Sequence, residues 1–93
     1  MPRVRFSPEG SRSLGNLPHL YLEKFNVAFA LVEEGGPRAA PLDSHPLSGN
    51  QRLWTLRIGP YRGIFRWDSD EARFIRFGHR RSVYQRLPKG GLL

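Results

Sequence analysis

The stretch WTLRIGPYRGIFRW, residues 54–67, decides the fold, because apolar and polar side chains alternate along it with a period of two. This alternation predicts two half-buried β-strands, and Gly59-Pro60 between them predicts a tight turn. A third alternating run at 72–77 follows residues 68–71, a polar stretch typical of a hairpin turn. Three strands joined by short turns predict an antiparallel meander.

The two faces of this meander differ in character. We expect one face to pack on a core, and its members are Trp54, Leu56, Ile58, Tyr61, Phe65, Trp67, Ile75 and Phe77. The opposite face carries Arg57, Arg62 and Arg66, and we expect it to remain in water.

Upstream of the meander, the apolar period changes from two to that of a helix. Ser7-Pro8 is typical of a helix start, and Gly15 keeps this first helix short. Between residues 18 and 34 apolar side chains recur every three or four positions, and Gly35-Gly36-Pro37 predicts the end of a second helix. Two helices joined by a tight turn form an αα-hairpin.

The remaining segments complete the predicted architecture. Residues 2–6 alternate as a short first strand, and residues 36–50 are rich in Pro, Gly and Ser and predict an ordered loop. Residues 80–87 fit a short helix or a last strand, and residues 88–93 predict a flexible tail. The sequence thus predicts an α+β fold of order β-α-α-β-β-β, with the N-terminal strand and the αα-hairpin packed on one face of an antiparallel sheet.

Length and composition bound the function. A chain of 93 residues predicts one domain, 1–93, and excludes a two-domain enzyme. The chain has no cysteine, which excludes a disulfide framework and a thiol nucleophile. No apolar run approaches the roughly 18 residues of a membrane span. Residues 1–6 also lack the apolar region of a signal peptide, so we predict a cytoplasmic protein without membrane contact.

The net charge of +7 lies in one half of the chain. Residues 1–49 hold five basic and five acidic groups, whereas residues 50–93 hold ten basic groups against three acidic ones. Thirteen of the 15 basic residues are arginine, whose planar guanidinium binds phosphate through paired hydrogen bonds and stacks on bases. This pattern indicates a site for a polyanion such as nucleic acid, and the alternative is a solvated basic face.

The residue types limit the possible chemistry. The three histidines are scattered, and the acidic residues at 68–71 belong to a turn, so we predict neither a metal nor a cofactor. His45 falls in the predicted loop, and we expect it to be neutral to function. Arginine, tyrosine and histidine remain, and such a set suits cleavage of RNA by its own 2′-hydroxyl. That reaction needs a base, an acid and cations for the charge on phosphorus.

Two motifs in this half resemble the RelE/ParE toxin superfamily, and its RelE branch most. The first is WTLRIGPYR at 54–62, preceded by Leu47-Ser48-Gly49, and the second is GHRRSVY at 78–84. The resemblance covers essentially the whole chain and implies a RelE-like fold. It also implies a toxin of a toxin–antitoxin pair: a metal-independent, ribosome-dependent endonuclease that cleaves mRNA in the A site of the 30S subunit through 2′-hydroxyl attack and inhibits translation.

The resemblance also implies roles for individual residues. Arg62 would stabilise the cleaved phosphate, Arg80 would act on the leaving group or the transition state, and Tyr84 would be the general base and stack on an mRNA base. The further candidates for catalysis or RNA binding are Arg57, His79, Arg81 and Arg66.

Several of these roles have a structural alternative. Arg62 could instead pair with Asp68 or Glu71, Tyr84 could be a packing aromatic, and His79 could simply fill its turn. Thr55 departs from the family pattern, which often has Lys or Arg there, so one catalytic cation is in doubt.

A toxin with this charge needs a neutralising partner. We predict a small acidic antitoxin that docks in a groove between the αα-hairpin and the sheet, with the free toxin monomeric and the complex a hetero-oligomer. Ribosome and mRNA are the other predicted partners. Two further functions stay open: a ParE-like gyrase inhibitor, and a non-catalytic module that binds RNA or the ribosome. The GHRxxVY ending argues against the gyrase inhibitor, since gyrase poisons usually lack that full motif.

Overall fold

The two strands predicted around Gly59-Pro60 lie inside a five-stranded sheet in the computed structural model, which describes residues 2–87. In chain order the elements are β1 (Arg3–Phe6), α1 (Pro8–Gly15), α2 (His19–Gly35), β2 (Ser44–Leu47), β3 (Asn50–Ile58), β4 (Tyr61–Trp67) and β5 (Glu71–His79). The strand order across the sheet is β1-β5-β4-β3-β2. The αα-hairpin and the β3-β4-β5 meander of the α+β prediction are therefore confirmed. The predicted tail at 88–93 lies outside the described residues.

The two edges of the sheet differ from the prediction. β1 pairs with β5 in parallel, so the sheet is mixed and not antiparallel. β2 falls within the segment expected to be a loop and pairs antiparallel with β3, which makes the order β-α-α-β-β-β-β. Pro46 made β2 look like a loop, yet proline is tolerated on an edge strand, where its missing N–H costs no ladder hydrogen bond.

Helix α1 lies directly on β5 because of the residues at its start. The Ser7 hydroxyl accepts a hydrogen bond from the Gly10 N–H at 2.9 Å, which caps the first turn. A side chain at position 10 would collide with the backbone carbonyl of Phe74, so glycine is what permits this close approach. Helix α2 ends at Gly35 and is capped by Gly36, whose φ of 79° favours glycine.

The face of the sheet toward the helices holds the main core. Its aromatic rings pack edge-to-face or stacked, with 4.7 Å between the ring centroids of Phe65 and Phe74 and 5.2 Å between those of Phe25 and Phe77. Phe25, Phe65 and Phe74 are fully buried, which stabilises the fold by roughly 2 kcal/mol each.

The opposite face, which we call the outward face, is not fully exposed to solvent, contrary to what the sequence predicted. Its centre holds a second buried cluster of Leu53, Ile64, Ile75 and Val83. Ile75 was expected in the main core, but the register of β4 and β5 shifts between Ile64 and Phe65. The extra residue in β5 turns Ile75 to the outward face and leaves Phe74 and Phe77 on the core face.

Residues 80–87 cover this second cluster. They form consecutive turns and neither the helix nor the strand that the sequence allowed. Val83 is buried against the sheet, and Leu87 packs at the edge of the same cluster. The segment that carries the GHRRSVY motif is therefore held on the outward face. Within residues 2–87, no helix has the length and hydropathy needed to cross a bilayer.

Candidate functional site

The outward face carries two arginines side by side where the β3–β4 hairpin turns. Arg57 and Arg62 are cross-strand partners on β3 and β4. Side chains directly opposite each other in a sheet have Cβ atoms about 5 Å apart, so two cations there repel each other. A pair that costs stability in the free protein is suited to an anion that binds between the two charges.

The turn itself orients Arg62. One terminal nitrogen of its guanidinium donates to the carbonyl of Gly59 at 2.7 Å and to that of Tyr61 at 2.9 Å. A guanidinium has five N–H donors, so further donors remain for a phosphate. The alternative of an ion pair with the acidic turn is not what is observed: Asp68 accepts backbone N–H groups, and Glu71 lies 3.6 Å from Arg5.

Tyr84 lies beside this pair with its hydroxyl fixed. The Tyr84 hydroxyl is 3.1 Å from the Thr55 hydroxyl, and either can be the donor. Thr55 is fully buried, whereas 37% of Tyr84 is exposed. The residue that departs from the family pattern thus provides a hydrogen-bond partner for the tyrosine instead of a cation. Tyr84 presents part of its ring to solvent and is not a core aromatic.

A groove of about 560 Å³ opens next to Tyr84. Its polar lining is His45, Ser48, Arg57 and Tyr84. His45 was expected in a loop, but it lies on β2 directly opposite Thr55, with its Nε2 atom 3.0 Å from an Arg57 terminal nitrogen. Sequence reasoning missed this residue because β2 was not recognised: SHPL at 44–47 shows no alternation of apolar and polar residues.

A family profile decides the classification. Residues 4–84 match the family described as "ParE toxin of type II toxin-antitoxin system, parDE". The chain belongs to the ParE toxin family. This match spans both motifs, and it confirms the RelE/ParE resemblance seen in the sequence. A comparison with curated protein sequences finds no match.

Solved structures place this ParE-family chain in the RelE-like fold. The RelB–RelE antitoxin–toxin complex from Methanococcus jannaschii superposes with a TM-score of 0.77 at 20% identity, covering 90% of this chain and 99% of that chain. The RelE–RelB complex from Pyrococcus horikoshii gives 0.70 at 21% identity, covering 88% and 98%. The DinJ–YafQ toxin–antitoxin complex from E. coli gives 0.73 at 17% identity, covering 89% and 97%.

The GHRR stretch of this ParE-family toxin forms the corner between β5 and residues 80–87. The His79 and Tyr61 rings pack edge-to-face, with 5.7 Å between their centroids. The His79 Nδ1 atom accepts a hydrogen bond from the Arg81 N–H at 3.2 Å, and the His79 carbonyl accepts from the N–H groups of Ser82 and Val83. These contacts favour a turn-forming role for His79. The Arg80 N–H donates to the Pro60 carbonyl at 2.8 Å, which brings this corner to the turn that orients Arg62.

The predicted residues therefore separate into groups. Arg57, Arg62 and Tyr84 share one end of the outward face, with the Arg80 backbone at the adjoining corner. The Arg80 and Arg81 side chains are exposed. Arg66 lies four residues along β4 from Arg62, about 13 Å away, so it is outside the groove. Among residues 2–87, no three His, Asp or Glu side chains gather as metal ligands would.

Proposed function

We propose that this toxin is a metal-independent endonuclease that cleaves mRNA in the A site of the ribosome and thereby stops translation. The observation that carries the proposal is that Arg57 and the exposed Tyr84, whose hydroxyl is bonded to Thr55, line one groove, with Arg62 directly opposite Arg57 on the neighbouring strand. Cations for a phosphate and a group that can move a proton are what 2′-hydroxyl attack on RNA requires.

The proposed reaction forms a bond between the 2′-oxygen and phosphorus and breaks the bond from phosphorus to the 5′-oxygen. Tyr84 takes the proton of the 2′-hydroxyl, and Arg57 and Arg62 neutralise the charge that builds on the phosphate oxygens. Arg80, on the corner beside Pro60, stabilises the negative charge on the leaving 5′-oxygen, which takes up a proton from water. His45 lines the same groove and is a second group there that can move a proton, because an imidazole gains and loses a proton near neutral pH.

The same proposal includes partners. The similar structures from M. jannaschii, P. horikoshii and E. coli are toxin–antitoxin complexes. We propose a small acidic antitoxin for this chain, attracted by its net charge of +7. The free toxin would be a cytoplasmic monomer whose other partners are the 30S subunit and mRNA, with His79 and Arg81 positioned to contribute RNA contacts at the corner.

A ribosome-programmed mRNA cleavage assay tests this function. The wild-type toxin should cut mRNA on ribosomes in the presence of a metal chelator at a concentration that leaves the ribosomes intact. Tyr84→Phe keeps the ring but removes the proton-transfer group, and we expect cleavage to fall by about 100-fold or more. Tyr21→Phe, which removes a tyrosine hydroxyl on α2, should cut like the wild type. Full activity of Tyr84→Phe would show that the catalytic assignment is wrong.

The family description favours one second candidate. Because the matched family is described as ParE toxin, a gyrase inhibitor is the alternative to be separated from an RNase. Double-strand DNA breaks in cells that express the toxin, with mRNA left intact, would favour gyrase inhibition. Salt-dependent RNA binding without any cleavage on ribosomes would instead identify a non-catalytic binding module.

A further inference from the structure

Arg76, on β5, makes contacts that the sequence did not single out. Only 18% of its side chain is exposed. Its Nε atom donates to the Glu9 carboxylate of α1 at 2.7 Å. One terminal nitrogen donates to the backbone carbonyls of Val83 at 3.1 Å and Gln85 at 2.5 Å. A single guanidinium therefore joins the first helix, the sheet and the segment 80–87.

The two carbonyls that Arg76 holds flank Tyr84 in the chain. The Val83 carbonyl belongs to the peptide group that precedes Tyr84, and the Gln85 carbonyl belongs to the peptide group after Gln85. Arg76 therefore holds the backbone on both sides of Tyr84 and restrains the direction of its side chain. The Thr55 hydroxyl then holds the far end of the same side chain. Tyr84 is thus restrained at its backbone by Arg76 and at its hydroxyl by Thr55.

The backbone next to this contact adopts a conformation that needs support. Arg86 has a φ of 56°, in the left-handed region where a non-glycine residue costs roughly 1 kcal/mol. Such a conformation persists when its surroundings enforce it. The bond from Arg76 to the preceding carbonyl, that of Gln85, is one such restraint on a segment without regular secondary structure.

We propose that the Glu9–Arg76 pair is a positioning device for Tyr84, and the proposal rests on the ribonuclease function proposed above. The pair acts through the backbone on either side of Tyr84 and needs no contact with RNA. Glu9 orients the guanidinium by accepting from its Nε atom, while one terminal nitrogen donates to the two carbonyls. A bidentate fork is required for this arrangement, so lysine cannot replace Arg76 fully.

A first experiment observes the tyrosine directly and needs no ribosome. The chain has three tyrosines, so selective ¹³C-tyrosine labelling gives three sets of ring signals, and Tyr84→Phe identifies the set of interest. In Arg76→Gln we expect the Tyr84 signals to move toward those of free tyrosine and to narrow, with the other two sets unchanged. Glu9→Gln should give a smaller shift in the same direction, and it tests the idea in a variant that keeps Arg76.

Arg73→Gln is the matched control. Arg73 lies on the same strand and loses the same charge, but its backbone pairs with Arg5 and Arg66, away from the segment 80–87. We expect its three sets of tyrosine signals to match the wild type. The proposal is overturned if Arg76→Gln leaves the Tyr84 signals in place, or if it shifts all three sets equally, which would indicate general loosening.

A second experiment measures single-turnover mRNA cleavage against ribosome concentration. Arg76→Gln should lower the maximal rate by about 10- to 100-fold, because displacing a reacting group by about 1 Å has an effect of that size. Its half-saturating ribosome concentration should stay within about twofold of the wild type. Arg76→Lys should recover part of the rate.

The outcomes separate the two proposals. A change in half-saturation alone for Arg76→Gln would mean that Arg76 binds RNA and does not position Tyr84. If the wild-type toxin cuts no mRNA, the proposed function is wrong, and the tyrosine signals alone then decide whether the Glu9–Arg76 pair places Tyr84.

Discussion

Arginines lie opposite each other across neighbouring strands at two places on the outward face, in very different surroundings. One place pairs Arg57 with Arg62, and at the other Arg73 lies between Arg5 and Arg66. Arg57 and Arg62 pair on β3 and β4, and Arg57 lines the groove together with Tyr84. Arg5 and Arg73 pair on β1 and β5, near the β1 edge of the same face, where a Glu71 carboxylate oxygen lies 3.6 Å from Arg5. The charge is the same in both pairs, so charge alone does not define a site; the groove and the fixed hydroxyl distinguish the first pair.

The largest expected effect comes from removing Arg57 and Arg62 together, and removal of Arg5 and Arg73 is the matched control. Arg57→Ala/Arg62→Ala should lower the maximal rate of ribosome-dependent cleavage by about 1,000-fold, since charge stabilisation at the reacting phosphate is lost. Arg5→Ala/Arg73→Ala removes the same two charges, and we expect its maximal rate to stay within about fivefold of the wild type. Single-turnover kinetics on programmed ribosomes measures both. Equal losses in the two variants would mean that bulk charge, and not the groove, governs cleavage.

How far the sequence could predict these two regions depends on how local their signals are. The alternation across Trp54 and Phe65 identified β3 and β4, and with them the outward position of Arg57 and Arg62, because strand period and turn residues are local. The pairing of Arg5 with Arg73 was not predictable in the same way. The parallel pairing joins β1 and β5, which lie far apart in the chain, and no local sequence pattern indicates which strand pairs with which.

The groove was only partly predictable for a related reason. Tyr84 was found through the motif, but His45 was missed because Pro46 disguised an edge strand as a loop. The bulge that turns Ile75 to the outward face depends on cross-strand register, which a single strand does not reveal. Arg76 looked like one more surface arginine; its role depends on carbonyls seven and nine residues away that meet it only after the turns at 80–87 form.

A smaller effect on the cleavage rate is expected from removing the Thr55 hydroxyl, which bonds to the Tyr84 hydroxyl at the groove. Thr55→Val keeps the buried shape but removes the partner of Tyr84, and we expect the maximal cleavage rate to fall by about 10-fold through loosened geometry. The free energy of unfolding should drop by only about 1 kcal/mol, the usual contribution of one hydrogen bond. Thr55→Ser retains the hydroxyl and should cut within about threefold of the wild type. An unchanged rate in Thr55→Val would show that this hydrogen bond does not matter for catalysis.

The smallest expected effect is on the salt dependence of RNA binding, to which both arginine pairs should contribute. Each guanidinium that contacts an RNA phosphate releases counterions. The logarithm of the binding constant for single-stranded RNA therefore falls linearly with the logarithm of the salt concentration, with a slope of about 0.7 per contact. Removing either pair should therefore reduce the salt slope of toxin binding to a short RNA by about 1.4 at most. Fluorescence anisotropy at a series of salt concentrations measures this.

Similar slopes for Arg57→Ala/Arg62→Ala and Arg5→Ala/Arg73→Ala, combined with cleavage rates that differ by orders of magnitude, would separate attraction of RNA from chemistry on it. A slope reduced only in Arg57→Ala/Arg62→Ala would instead confine RNA contact to the groove and leave the second pair with the Glu71 contact alone.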